Sequence, residues 1–455
     1  MGGSLILKGV SGEQLSEIVG KAYPVRIIAG SIDLVAKGKY EGANGLTSRI
    51  SLTGRDIALS GENRRTIFSG GKLDISADLA KRDLLIREAV VTVGEKLKVG
   101  LKGTLKNVTV PERVGNFSLE LPGIEIASIL DIFANALPPF LQEAEAKGSV
   151  RIKSEIKTWG KGGEINGEIE IEDGGLDIPS QKLTVTGVKG TVPFETVLKG
   201  SPPQQWDKGR VKRDNYREML SLLKSASSEG YNLVIERIRF GAAEFTDTRF
   251  SIGTGNGVTE VKSLTSRLFH GEILGRGSFS LSDGDRFGGD ILVHDLSLQE
   301  LCDSYPAIRG YMTGRVNGFV SLFAAGRGLT ALKGLMEFWA RSAAGEKMLI
   351  SKDFLQKLSG KKLKGVFFQN DRPYDRGEIA AYLEDGYLTF QTMDISHTNL
   401  LGMRDLSVAV APVQNKISLE HLLATIREAA SRGKAATRGG GSEPSPPGME
   451  FKWEE

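Results

Sequence analysis

Apolar and charged residues alternate with period two along much of this chain, and that pattern predicts a succession of half-buried β-strands. In GEINGEIEIEDGGLDI, Ile165, Ile169 and Ile171 fall on one side, with Glu164, Glu168, Glu170 and Glu172 on the other. GSVRIKSEIK sets Val150, Ile152 and Ile156 against Arg151, Lys153, Glu155 and Lys157. LKVGLKG alternates Leu97, Val99 and Leu101 with Lys96, Lys98 and Lys102. The pattern returns in GSFSLSDG (Phe279, Leu281), GRVNGFVSLF (Val316, Val320, Leu322) and DLSVAVA (Leu406, Val408, Val410). Successive side chains of a strand leave opposite faces, so each run has one dry and one wet face. Gly, Asn or Asp bounds these runs, as in an antiparallel meander with tight turns.

Helical spacing is confined to short segments. Ile126, Ile129, Leu130 and Phe133 predict a helix within 125–136, ended by Pro138 and Pro139. Further helices are expected over 213–225, 297–302, 352–358 and 418–431, and 199–213 reads as a loop between two halves.

A longer-range repeat overlies the alternation. A short apolar segment is followed by Pro, by a glycine opening a strand, and by another glycine at a fixed distance. Leu15 to Val19, Pro24, Gly30 and Gly42 form one copy. Ile126 to Leu137, Pro138, Gly148 and Gly160 form a second, and Leu296 to Leu301, Pro306, Gly314 and Gly326 a third. The glycine spacing is the same in all three (42 − 30, 160 − 148 and 326 − 314, each 12). A strand of about ten residues between turns accounts for it, and copies this far apart suit large β-units rather than a tight solenoid.

Composition narrows the function classes. Glycine, at 57 of 455 residues, is in excess without a collagen period, which fits many turns and bulges. A net charge of +3 with interleaved signs gives no basic stripe for nucleic acid. Cys302 is the single cysteine, so no intramolecular disulfide forms. The longest charge-poor runs, 132–141 and 316–325, fall short of the ~18–20 residues of a membrane helix, and no secretory signal opens the sequence. The chain therefore reads as soluble, and as lacking an upstream part.

Catalytic constellations are missing from the sequence. No Gly-x-Ser-x-Gly elbow or phosphate loop occurs, and Gly253-Thr-Gly255-Asn-Gly257 reads as a turn. His270, His294, His397 and His421 lack metal-ligand spacing and read as surface or turn histidines. The Glu164 to Glu172 row reads as a solvated strand face, Cys302 as core, and Tyr305, Tyr311, Phe319, Phe323, Phe338 and Trp339 as strand residues. The expectation is a non-enzyme with no catalytic residue, metal or cofactor.

The segment DLSLQELCDSYPAIRGYMTGRVNGFVSLFAAGRGLTALKGLMEFWA combines a short helix, Pro, and a glycine-rich strand entry (Gly310, Gly314, Gly318). Gly326-x-Gly328 and Leu332-Lys333-Gly334 follow. It resembles the carboxy-terminal region of AsmA-like proteins, and more closely the YdbH/TamB-type branch. The stretch from Leu121 to Ile178 is similar to an earlier unit of that family, and RGEIAAYLEDGYLTFQTMDISHTNLLGMRDLSVAVAP, with Asp385 and Gly386, to its end.

The resemblance implies a periplasmic or cell-envelope protein, anchored in the inner membrane through a segment absent from this chain. It implies a long sheet curled into a groove with an apolar floor that conducts phospholipid between inner and outer membranes. The partners implied are phospholipid and the inner and/or outer membrane, through an outer-membrane partner protein; the charge pattern gives no nucleic acid among them. The expected fold is mainly β with a few short helices: an elongated, strongly twisted antiparallel sheet forming an open apolar groove from repeated units. Expected divisions are β-groove units over 1–200, a loop and helix insertion over 201–229, a carboxy-terminal β-unit with a terminal helix over 230–432, and a disordered tail over 433–455.

The candidate groove floor is Ile152, Ile156, Ile165, Ile169, Ile171, Phe279, Leu281, Val316, Val320 and Leu322. Two other readings accompany it: a structural β-rich envelope scaffold without lipid cargo, and a β-helical carbohydrate-active enzyme.

Overall fold

The computed structural model describes residues 2–14, 26–40, 46–60, 66–108, 110, 112–160, 162–198, 211–227, 230–255, 257–280, 286–326, 329–342, 346–359, 371–409 and 415–424. The chain is mainly β with short helices, and among the described residues its strands pair antiparallel. It divides into two compact units. The first comprises Met1–Pro203 with Gly253–Thr259, and the second Gln204–Ile252 with Glu260–Glu455.

In the first unit ten strands follow one another as a meander. They are β1 (Gly2–Ser11), β2 (Arg26–Tyr40), β3 (Leu46–Ser60), β4 (Thr66–Ala80) and β5 (Asp83–Val93). Then come β6 (Leu97–Lys106), β7 (Val114–Glu125), β8 (Glu145–Trp159), β9 (Gly162–Ile178) and β10 (Leu183–Leu198). Each pairs with the next in sequence. A helix at Ile126–Ile132 and a 3-10 turn at Ala134–Ala136 interrupt the meander between β7 and β8.

The remaining strands are β11 (Leu233–Phe240), β12 (Ala243–Gly255), β13 (Val258–Leu268), β14 (Gly271–Ser280), β15 (Arg286–Ser297), β16 (Arg315–Ala325) and β17 (Leu332–Arg341). β18 (Leu349–Ile350), β19 (Arg372–Pro373), β20 (Arg376–Glu384), β21 (Tyr387–Thr398), β22 (Arg404–Ala409) and β23 (Lys416–Ser418) complete the set. In the second unit β14, β15, β16, β17, β20 and β21 pair in that order, and β21 carries both β22 and β23. β18 and β19 form a separate two-stranded ribbon.

The helix at Tyr216–Ala226 lies on this second sheet, with Tyr216, Met219 and Leu223 at successive helical turns facing inward. They meet Leu274, Leu292 and Phe319, which the register aligns across β14, β15 and β16. Phe319 and Leu292 are fully buried. Tyr216 stacks edge-on against Trp339 at 4.9 Å and donates its hydroxyl to the Val293 carbonyl at 2.7 Å. Sequence spacing puts helices over 213–225, 297–302 and 352–358; they occur at Tyr216–Ala226, Leu298–Ser304 and Lys352–Ser359. Ser297 caps the second of these, accepting from the Glu300 amide. Residues 419–424 are helical, while the rest of 418–431 and the tail 433–455 lie outside the described residues.

The three repeat glycines share a backbone state. Gly30, Gly148 and Gly314 have φ of +113°, +87° and +124°. Gly30 and Gly148 sit at register shifts in β2 and β8, where an extra residue bends the strand. A Cβ on Gly148 would lie 2.5 Å from the Asp173 carbonyl oxygen, and one on Gly30 would lie 2.8 Å from that of Arg55. Gly314 opens β16, where its amide donates to Glu346, which also takes the Ser297 hydroxyl and pairs with Arg315. Gly42 lies outside the described residues.

Two predictions follow from this packing. Gly148→Ala is expected to destabilise the fold by about 2 kcal/mol or more, because φ and contact both oppose a side chain. Gly160→Ala, at φ +51° with nothing within 4 Å, should cost roughly 1 kcal/mol; urea midpoints of the two variants check the order. The second concerns His294, which the register places opposite Glu272 on the helix-covered face of β15, not in a turn. Burial, reinforced by Lys224, holds its pKa below the ordinary 6.5. The folded state thus keeps it neutral while the unfolded chain protonates near 6.5, so its contribution is present above that pH and lost as pH falls towards the folded pKa. Unfolding midpoints should fall more between pH 7.5 and pH 5 in the natural chain than in His294→Gln.

Candidate functional site: an apolar sheet face

Directly paired residues of antiparallel strands share a face, so register decides what each face of the first unit carries. One row runs Leu7, Leu34, Leu52, Ile75, Ala89, Leu101, Leu119, Ser154, Gly167 and Phe194 across all ten strands. The adjacent row runs Leu5, Ala36, Ile50, Ala77, Ile86, Gly103, Phe117, Ile156, Ile165 and Thr196. A third aligns Leu121, Ile152, Ile169 and Val192 over β7 to β10. Neither ten-residue row holds a charged side chain.

Glycines in these rows are places where rings lie on the backbone. A Cβ at Gly103 would meet Phe117, and one at Gly167 would meet Phe194, each well inside contact distance.

The intervening residues make the opposite face polar. Arg151 pairs with Glu170 directly across the β8–β9 ladder at 2.6 Å, and Arg49 reaches Asp78 at 3.5 Å. Arg87 also donates to Asp78, and that hydrogen bond is the chief reason its carboxyl titrates below the usual range. These pairs are solvent-exposed and set orientation more than stability.

Burial along the apolar rows is graded. At one end Val93, Leu97, Leu121, Ile124 and Val150 are buried beneath Ile126, Ile129, Ile132 and Phe133, and Phe133 meets Phe68 edge-on at 6.5 Å. Farther along the strands Leu34, Leu52, Ile75, Leu101, Leu119, Ile156 and Ile165 are only half-buried, and Leu5 and Leu7 are exposed. Among the described residues one short helix covers the end of this face; beyond it Ala77, Ala89 and Ser154 are buried while the larger side chains of the rows stay half-open.

The second unit carries its own apolar face, opposite the one its helix covers. Gly275, Ile291, Val320, Met336, Ala381 and Phe390 form one row, and Phe279, Phe287, Ala324 and Leu332 another. Phe279, Phe287 and Ile291 are 39%, 45% and 40% exposed, too open for an ordinary core. Leu419 and Leu422 cover Ala381, Leu383 and Leu388 on this side.

The candidate floor residues distribute accordingly. Ile152, Ile156, Ile165, Ile169 and Ile171 share the apolar face of the first unit. Phe279, Val316, Val320 and Leu322 share that of the second. Leu281 lies outside the described residues. Leu34, Leu52, Ile75 and Leu119, outside the candidate floor, share this face as well, and period-two alternation in β2, β3, β4 and β7 carries the signal for them.

Polar chemistry lies elsewhere. On the helix-covered face Asp290 takes two bonds from Arg276, at 2.9 and 2.8 Å, and one from Ser321 at 2.6 Å, a fully satisfied buried pair. Cys302 is buried, and burial pushes its thiol pKa up. Among the described residues no group of His, Cys, Asp and Glu is placed to hold a metal ion, and no helix is long and apolar enough to cross a membrane. No family model, curated protein or solved structure matches the chain.

Accessibility of the face can be read chemically. A cysteine introduced at Ile75 should react with a water-soluble maleimide roughly tenfold or more faster than one at Val150, under the helix. Equally slow rates would mean the face is closed throughout.

Proposed function

We propose that the apolar sheet face of the first unit binds the acyl chains of phospholipids and serves as a path along which they move between two membranes. The observation that carries this reading is the pair of charge-free rows, ten strands wide and largely half-buried, with a charged face behind them. A sheet with one apolar face needs a covering layer. Here the cover at hand is a helix of seven residues at one end.

Acyl chains supply the missing layer at a gain of roughly 0.8 kcal/mol per methylene buried. No polar motif is needed along the rows, because the headgroup stays in water. The periplasmic setting, the inner-membrane anchor and an outer-membrane partner belong to the same proposal and rest on the AsmA-like resemblance. The same reading assigns the protein no catalytic step.

Photo-crosslinking tests the assignment. A diazirine amino acid placed at Leu119 or Ile156 should capture phospholipid during expression, detected by mass spectrometry after organic extraction. The same probe at Ser118 or Glu155, on the polar face of the same strands, should capture little. Equal capture from both faces, or none from either together with lipid-free extracts, leaves the scaffold reading instead.

A further inference from the structure

The connection between β21 and β22 carries the two most exposed large apolar side chains among the described residues. Leu400 is 107% exposed and Leu401 80%, and Met403 beside them is 57% exposed. Such exposure on adjacent residues is not the scattered surface leucine of an ordinary domain.

The turn that presents them is tightly built. Asn399 Oδ1 accepts from the amides of Leu401 and Met403, both at 3.0 Å. The Asn399 amide donates to the Met403 carbonyl and the Gly402 amide to the Asn399 carbonyl, each at 2.9 Å. Gly402 takes the left-handed conformation, φ +75°, that closes the loop.

Below the tip the character changes. Thr398 pairs with Arg404 across the ladder, and its amide donates to Asp375 at 2.8 Å. His397 and Arg372 hold Asp405 at 2.6 and 3.0 Å.

We infer that this turn, Asn399 to Met403, is a wedge that docks the protein on a phospholipid bilayer. Three features select a bilayer over a protein. The apolar side chains radiate from a narrow convex turn, so they present neither a groove nor the ~800 Å² per side that a stable protein interface uses. The amides of Leu401, Gly402 and Met403 are all bonded within the turn, which lowers the cost of bringing this loop backbone to the edge of the apolar layer. Arg404, exposed at the base, stands where phosphate groups would meet it. This docking goes beyond the lipid-binding face: it needs no lipid on the sheet, and a chain that carries lipid in solution could still fail to dock.

The test uses the full chain with vesicles of phosphatidylethanolamine and phosphatidylglycerol. Cys302 is buried, so Leu400→Cys offers one accessible thiol for a nitrobenzoxadiazole label, with the unsubstituted chain as labelling control. Adding vesicles should shift the label's emission to the blue, and lipid bearing a spin label near the headgroup should quench it. In flotation, Leu400→Ser with Leu401→Ser should lower the bound fraction roughly tenfold or more, whereas Leu85→Ser, at an exposed leucine of β5, should leave it unchanged. An unshifted label, equal flotation of the double variant, or a shift that requires an added membrane protein rather than lipid would each overturn the inference. Lipid content of the vesicle-free protein, measured on the same preparations, reports separately on the sheet face.

Discussion

Cross-strand register is the constraint on which the first unit depends. Because side chains alternate with a period of two, a slip of one residue between two strands would carry the part of each apolar row beyond the slip to the charged face. Leu52 must oppose both Leu34 and Ile75, and Leu119 both Leu101 and Ser154, for the rows to stay unbroken. Bulges are therefore confined to places where they preserve the pattern. The shift between Ile86 and Ala89 in β5 adds a residue yet leaves both side chains in line with Ala77 and Ile75. The shift between Leu121 and Ile124 turns β7 towards its helix while keeping both residues among the apolar cluster.

The two units meet the same physical problem with different partial covers. In the first, among the described residues, the helix at Ile126–Ile132 shields the strand ends around Val93, Leu121 and Val150. In the second, the helix at Tyr216–Ala226 seals one face around Phe319, and the residues that would otherwise be wet there become core. That face also holds the Arg276–Asp290 pair, whose bonds are satisfied by guanidinium and serine, so polarity is tolerated where the network is complete. The opposite face keeps Phe279 and Phe287 paired and open to solvent. A sheet apolar on both sides, with one side sealed, leaves its remaining side as the place for a ligand or another layer.

The strands were legible because alternation is a local property of sequence, and the isoleucines of β8 and β9 declare their face without reference to any neighbour. The buried side of β16 was not. Asn317, Phe319 and Ser321 read as a mixed polar face, and only the helix brought over them from Tyr216–Ala226 makes Phe319 the centre of a core. His294 is hidden in the same way, since its burial depends on a helix far away in sequence. The glycine repeat was visible as spacing, whereas its cause, a positive-φ strand entry pressed at Gly30 and Gly148 against a neighbouring carbonyl, belongs to backbone geometry. Curvature of a sheet is a collective property that alternation does not encode, and the groove rests on resemblance for that reason.

Row length bears on how such a face would work. Nine strand-to-strand steps at about 4.8 Å give a row of about 43 Å before twist. That exceeds the ~30 Å of a whole bilayer's hydrocarbon layer, so a single acyl chain lying along the row would occupy only part of it. On the proposed reading several lipids lie in file, and movement is exchange between equivalent apolar positions rather than release from one specific pocket. The rows suit that role because their side chains differ in size but none carries a charge. Ala89, Gly103, Ser154 and Gly167 lower the floor between larger residues without introducing a charge that would arrest a chain. A face built for a fixed protein layer would be expected to pair each depression with a complementary knob. A face that passes mobile chains needs only continuity, and continuity is what the register maintains across all ten strands.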